Sequence, residues 1–158
     1  MKSRIYLETS VISYLTAWPS RDLVRAGHQE TTREWWAMRS TFELYISQLV
    51  LDEAAAGDAV AAARRLEALH GVPLLELTTD ATGLGRALIR EAALPSKAAA
   101  DALHIALAAA HGMDCSVTWN CTHIANATMR PRIESICRAN GVEPPVICTP
   151  LELLEDKS

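Results

Sequence analysis

Residues 95–112, PSKAAADALHIALAAAHG, constrain this chain more than any other stretch. Pro95 and Ser96 read as a turn and an N-cap, and Gly112 as the stop. Between them nearly every side chain is alanine, leucine or isoleucine. A helix that is apolar on almost all faces is buried on several sides rather than laid on a surface. Asp101, one of the few polar exceptions, is expected in the second turn. A carboxylate in such a helix needs a cation, a cluster of donors or a raised pKa. Asp101 is therefore either a core aspartate satisfied by hydrogen bonds or part of a site, and the rest of the chain has to decide.

The surrounding pattern alternates. Short β-type runs at 4–7, 43–46, 74–77, 115–118 and 146–148 are separated by helical patterns. Helices are expected at 11–17, at 21–38 behind a Ser20 cap, from 48 through Glu53, and at 60–69 with a stop at Gly71. Others follow from Thr78 or Thr79 to 93, through the Asp101 stretch, near 124–127, and from Pro131 to Gly141. Strands alternating with helices argue for a parallel sheet covered on both faces, with its site outside the carboxyl ends of the strands at the topological switch point. Glu8 and Asn120 follow the first and fourth strand runs, and Glu53 lies on the helix after the second. No repeat or interdomain linker interrupts the chain, and 158 residues suit one domain, 1–158.

Composition narrows the function classes. With 49% hydrophobic and 22% charged residues the chain is not disordered. Aromatics at 5% argue against a nucleic-acid platform of stacked rings. A net charge of −4 offers a polyanion no global attraction, so a nucleic-acid partner needs a local basic patch or bound metal ions. The start lacks a signal-peptide pattern and no apolar run reaches membrane-span length, so the cytoplasm is the expected location and no membrane partner is expected. Cys115, Cys121, Cys137 and Cys148 are then expected as thiols. A zinc site from Cys115, Cys121, His123 and Cys137 matches no common knuckle spacing.

Three carboxylates, Glu8, Glu53 and Asp101, brought to one pocket repel one another unless a cation joins them. Mg²⁺ and Mn²⁺ are the natural partners of such oxygen ligands, and with retained water they serve in-line attack on a phosphodiester. No Gly-rich phosphate loop or DxD nucleophile pattern points to other phosphoryl chemistry.

Four stretches, in order, resemble the PIN-domain family, most nearly its bacterial toxin ribonucleases of the VapC type. They are IYLETSVIS at 5–13, SQLVLDEAAAGD at 47–58, DALHIA at 101–106, and TWN at 118–120 with HIAN at 123–126. The resemblance implies a three-layer α/β/α fold with a parallel sheet of about five strands. It implies Mg²⁺- or Mn²⁺-dependent RNA cleavage, a homodimer, and inhibition by a small antitoxin protein. By position, Glu8, Glu53 and Asp101 match the family's metal-binding acids. Asn120 stands where many members carry a fourth aspartate, there to bind metal or orient the attacking water, and Thr9 and Ser10 support the first acid. Two positions depart from the family. Glu8 is one methylene longer than the usual aspartate, and displacement by about an ångström can cost on the order of a hundredfold in rate. Asn120 lowers the site from four formal negative charges to three. These departures motivate the alternative, a catalytically impaired RNA- or protein-binding module. A Glu8 that simply caps the next helix is its plainest form.

His104, three residues after Asp101, shares its helix face. An imidazole packed in the core and bonded to a carbonyl is the first reading, a general base the second. His123 either touches RNA or caps a short helix. Arg130 and Arg132, with Arg138, form a local basic group suited either to phosphates or to plain solvation. One of the adjacent Trp35 and Trp36 packs on the core, and the other packs there too or anchors a partner.

Overall fold

Ile5, Tyr6 and Leu7 have no exposed surface, as a parallel strand covered on both faces requires. They form the core of β1 (Arg4–Leu7), the centre of the molecule. The computed structural model describes residues 1–91 and 93–155. In chain order the other strands are β2 (Glu43–Ser47), β3 (Leu74–Leu75), β4 (Cys115–Val117) and β5 (Val146–Cys148). All five pair in parallel in the order β3-β2-β1-β4-β5. The chain builds outward from β1 through β2 to β3, then returns to place β4 on the other side of β1. The switch point is therefore between β1 and β4.

Helices cover both faces, giving the expected three-layer α/β/α arrangement. They are α1 (Thr9–Thr16), α2 (Leu23–Ala37), α3 (Gln48–Ala54), α4 (Ala59–Ala68), α5 (Thr79–Arg90), α6 (Ala99–Ala110), α7 (Arg130–Ala139) and α8 (Pro150–Glu155). Two apolar clusters form the core. One gathers β1 and β2 with Val11, Ile12 and Trp35, and the other gathers α5, α6 and α7. The α6 helix belongs to both, since Leu107 and Ala108 face the first cluster while Ala102, Ile105, Ala106 and Ala109 face the second. Its all-round apolar sequence follows from that double burial. No helix among the described residues is long and apolar enough to cross a membrane.

Several boundaries differ from expectation for local reasons. Ser96 makes no capping bond; residues Ser96–Ala98 form a 3₁₀ turn and α6 begins at Ala99. Asp101 thus falls in the first turn, not the second, where the helix dipole favours a carboxylate. Asp22, not Ser20, caps α2, its carboxylate accepting from the Arg25 amide. The run expected as a helix at 124–127 is a series of turns. The α5 helix ends at Arg90 rather than 93, with residue 92 outside the described set, as are 156–158 of the expected domain. The α8 helix was not anticipated, although Thr149 and Glu152 cap its start reciprocally. Trp35 is fully buried and Trp36 half-buried beneath the Arg39 guanidinium, so both pack on the core.

The α5–α6 contact sets a clear limit on residue size. A Cβ on Gly85 would meet Ala106 Cβ and Leu103 Cδ1 at 3.7 Å, an ordinary contact. Gly85→Ala is expected to be neutral or to raise stability by up to about 1 kcal/mol. Gly85→Leu should lower it by about 1–3 kcal/mol through overpacking. Urea midpoints measure both, and equal stability of the two variants would contradict the close packing described here.

Candidate active site

Glu8 follows β1 directly and is the N-cap of α1. Its Oε1 accepts from the Ser10 amide at 3.2 Å, from the Ser10 hydroxyl, and from Thr118 Oγ1 at 2.6 Å. Each hydroxyl accepts a backbone N–H from the segment after β4 in turn: Trp119 N–H to Ser10 Oγ at 2.8 Å, and Asn120 N–H to Thr118 Oγ1 at 2.9 Å. The carboxylate thus joins the ends of β1 and β4 at the switch point. The capping role and the site position coexist, because capping uses only Oε1. Glu8 Oε2 accepts no hydrogen bond among the described residues and lies 4.0 Å from His104 Nε2.

Glu53, on α3, reaches the same place from the β2 side. Its Oε1 accepts from Thr9 Oγ1 at 2.5 Å and from His104 Nε2 at 2.7 Å. A carboxylate only accepts, so the His104 Nε2 carries its hydrogen toward Glu53. On the far side of the ring, Nδ1 is 2.7 Å from the Tyr6 hydroxyl, itself 2.8 Å from Ser47 Oγ. Burial drives the Tyr6 hydroxyl well above its ordinary pKa, with the Glu8 and Glu53 charges adding to the rise, so it remains a phenol. For Glu53 burial raises the pKa, but the bonds from His104 and Thr9 and the imidazole's charge outweigh it and hold the carboxyl below its usual range. His104 is packed in the core, as expected, but its partners are a carboxylate and a phenol rather than a carbonyl.

Asp101 lies one turn before His104 on α6. Its Oδ1 accepts from Asn120 Nδ2 at 2.9 Å and its Oδ2 is 2.8 Å from His123 Nδ1. The carboxamide orientation of Asn120 is set by this bond and by the His123 amide, which donates to Oδ1 at 3.1 Å. The compact group with metal-ligand spacing comprises Glu8, Glu53 and His104, one ligand atom each within 4.8 Å. Asp101 stands outside that group and connects to it through Asn120 and Thr118.

Two of the three expected RNA contacts already bond within the chain. His123 bonds Asp101, and Arg132 donates twice to the Glu91 carbonyl, at 3.0 and 2.8 Å. Arg130 Nε is buried without a hydrogen-bond partner among the described residues, and Arg138 pairs with Glu134 and Glu143. The cysteines form no disulfide and no metal group among the described residues. Burial pushes the Cys137 thiol up to about 11, and the bond with Cys115 on the adjacent strand, with burial, raises Cys148 further.

Sequence reasoning missed two participants in the network. Thr118, read as the end of a strand and the first residue of TWN, is the second hydroxyl on Glu8. Tyr6 joins a polar chain from inside a strand read as apolar. The TWN stretch carried a signal for the first, since a Thr just before Asn120 sits at a strand end beside the site. Nothing in IYLE marked the second.

An α/β/α protein with an acidic group at the switch of its parallel sheet is the class that fold and site define. The family model for the PIN domain matches residues 5–118, and the chain belongs to that family. No curated protein matches it significantly. Membership implies a nuclease dependent on a divalent metal. The donor set fits such an ion: with Nε2–H committed to Glu53, the remaining ligands are carboxylate oxygens, hard donors suited to hard cations.

Glu53 makes stability depend on pH in a defined direction. Its depressed folded pKa contributes stability above its unfolded value of about 4.3, lost as pH falls through the folded value. The thermal midpoint of the wild type should fall more steeply on acidification below about pH 4.3 than that of Glu53→Gln. Parallel pH profiles for the two proteins would remove the ion-paired role of this carboxylate.

Proposed function

We propose that this protein is a Mg²⁺- or Mn²⁺-dependent endoribonuclease, acting in the cytoplasm as the toxin of a toxin–antitoxin pair, as a homodimer restrained by an antitoxin protein. The observation that carries the nuclease reading is the meeting of Glu8 and Glu53 at the β1–β4 switch point, with one ligand atom of each within 4.8 Å of the other and of His104. Glu8 and Glu53 would hold the ion, with Asp101 as the third acid. The bound ion would supply Lewis acidity toward a water and neutralise charge at the phosphodiester.

The chain's own groups do the positioning. Ser10 and Thr118 fix one oxygen of Glu8 and leave the other toward the site. Thr9 and His104 fix Glu53 in the same way. Asn120 orients Asp101 through its amide nitrogen. Because both Asp101 oxygens and one Glu53 oxygen already have partners, the impaired binding module remains the second reading.

Cleavage of a mixed RNA pool separates the two. Wild type should cleave with Mg²⁺ or Mn²⁺ and stop on chelation, and Asp101→Asn should lose at least about a hundredfold in rate. RNA left intact by folded, antitoxin-free wild type with either metal would favour the binding module. Cleavage that survives Asp101→Asn would place the activity elsewhere.

A further inference from the structure

The helix that supplies Thr9 and Ser10 continues past the acidic site, and its next turn carries an unassigned polar cleft. Ser13, Tyr14 and Ala17 of α1 and its C-cap face Arg25 and Gln29 of α2 and Arg65 of α4 around a space of about 190 Å³. Among the described residues no acidic side chain lines it, so its local charge is positive in a chain of net charge −4. The Arg25 guanidinium lies 5.8 Å from the Tyr14 ring centroid and makes no ion pair among the described residues. A larger depression between α5 and α7, lined by Asp80 and Asn140, contains none of the acidic-site residues.

The cleft is joined to the acidic site by packing. Tyr14 contacts Trp119 at 6.0 Å between centroids, and His28 stacks on Trp119 at 4.0 Å and 13°. Trp119 in turn donates its amide to Ser10 Oγ and immediately precedes Asn120. Along α1, Ser10 and Tyr14 are one turn apart, separated by about 6 Å of helix rise. Beyond the cleft Trp18 is 72% exposed, with the Arg64 guanidinium 4.3 Å from its centroid. Buried Gln29 pins the loop bearing Trp18, donating to the Trp18 carbonyl at 3.0 Å and accepting from the Ser20 amide at 2.9 Å. Aromatic rings are few in this chain, as composition indicated. The structure nevertheless gathers Tyr14, Trp18, Trp119 and the imidazole of His28 on one side of the site.

We infer that the Tyr14–Arg25 cleft and the Trp18–Arg64 ledge form a binding track for single-stranded RNA flanking the scissile phosphate. Stacking on accessible ring faces and unpaired guanidinium groups are what a flexible polyanion with aromatic bases requires. An acidic protein segment would use the charges but leave the alternation of ring and arginine unexplained. The inference rests on the ribonuclease reading, since only a nucleic-acid substrate needs contacts on both sides of a reacting phosphate.

Binding measured apart from cleavage tests it. A labelled single-stranded RNA of mixed sequence is titrated with full-length protein by fluorescence anisotropy, with EDTA present, at several salt concentrations. The proteins are wild type, Arg25→Ala, Tyr14→Leu and, as a remote control on α5, Arg90→Ala. Circular dichroism confirms folding, and exposed Arg25 covers the case in which Tyr14→Leu unfolds. Arg25→Ala should weaken binding and lower the salt slope by about one phosphate contact. Tyr14→Leu should weaken binding roughly five- to a hundredfold with the slope unchanged, and Arg90→Ala should bind as wild type. Wild-type affinity in both cleft variants, alongside metal-dependent RNA cleavage by the wild type, would overturn the track and leave the ribonuclease reading standing. Unchanged RNA affinity with an altered oligomeric state would assign the cleft to protein contact instead. No RNA binding and no RNA cleavage by the wild type would overturn both readings.

Discussion

Two hydroxyls, Ser10 and Thr118, hold the centre of this molecule by bonding the same oxygen of Glu8. One comes from the helix after β1 and the other from the end of β4, residues far apart in sequence that the sheet makes neighbours. Each hydroxyl also takes a backbone N–H from the segment leading to Asn120. A buried carboxylate is costly unless several donors meet it, and here they do so on one side only. Without this arrangement Glu8 would be an ordinary helix cap. With it, the carboxylate is fixed at a strand junction and keeps an oxygen for chemistry.

The second constraint runs inward. Glu53 is partly exposed, yet its position is set by a chain of bonds through His104 and Tyr6 to Ser47, all of them buried. The chain links α3, α6, β1 and the end of β2, so the site geometry is tied to packing of the whole first core cluster. That is why α6 is so apolar: it must be buried on two sides to deliver His104 inward and Asp101 to the site rim. A polar network that is fully satisfied rigidifies a core, whereas a broken one destabilises it. Changes to Tyr6 or Ser47 therefore act on the site at a distance.

Much of this was legible in the sequence because it depended on local pattern. Strand–helix alternation predicted the parallel sheet, and the limits of β1 and β5 follow directly from RIYL and VIC. Capping geometry was less legible. Ser20 and Asp22 are both competent caps, and only the Asp22 contact with the Arg25 amide decides between them. In the site, Glu8, Glu53, Asp101 and Asn120 stood out as polar groups at strand ends or on an apolar helix. The division among them was not visible. Whether Asp101 sits among the other acids or pairs with Asn120 and His123 depends on how α6 enters from its 3₁₀ turn, a tertiary matter that spacing alone does not determine. His104 was hidden for the same reason, since a histidine on an apolar helix face looks identical whether it meets a carbonyl or a carboxylate.

A divalent-metal site built from Glu8 and Glu53 at the β1–β4 junction can be tested without RNA. Thermal unfolding of the full chain is followed over a Mn²⁺ titration for wild type, Glu8→Gln and Glu53→Gln. A ligand that binds only the folded state raises its stability by mass action, so the wild-type midpoint should climb with Mn²⁺ while both variants respond weakly or not at all. A midpoint that ignores Mn²⁺, or one that rises equally in all three proteins, would mean that Glu8 and Glu53 do not hold the ion.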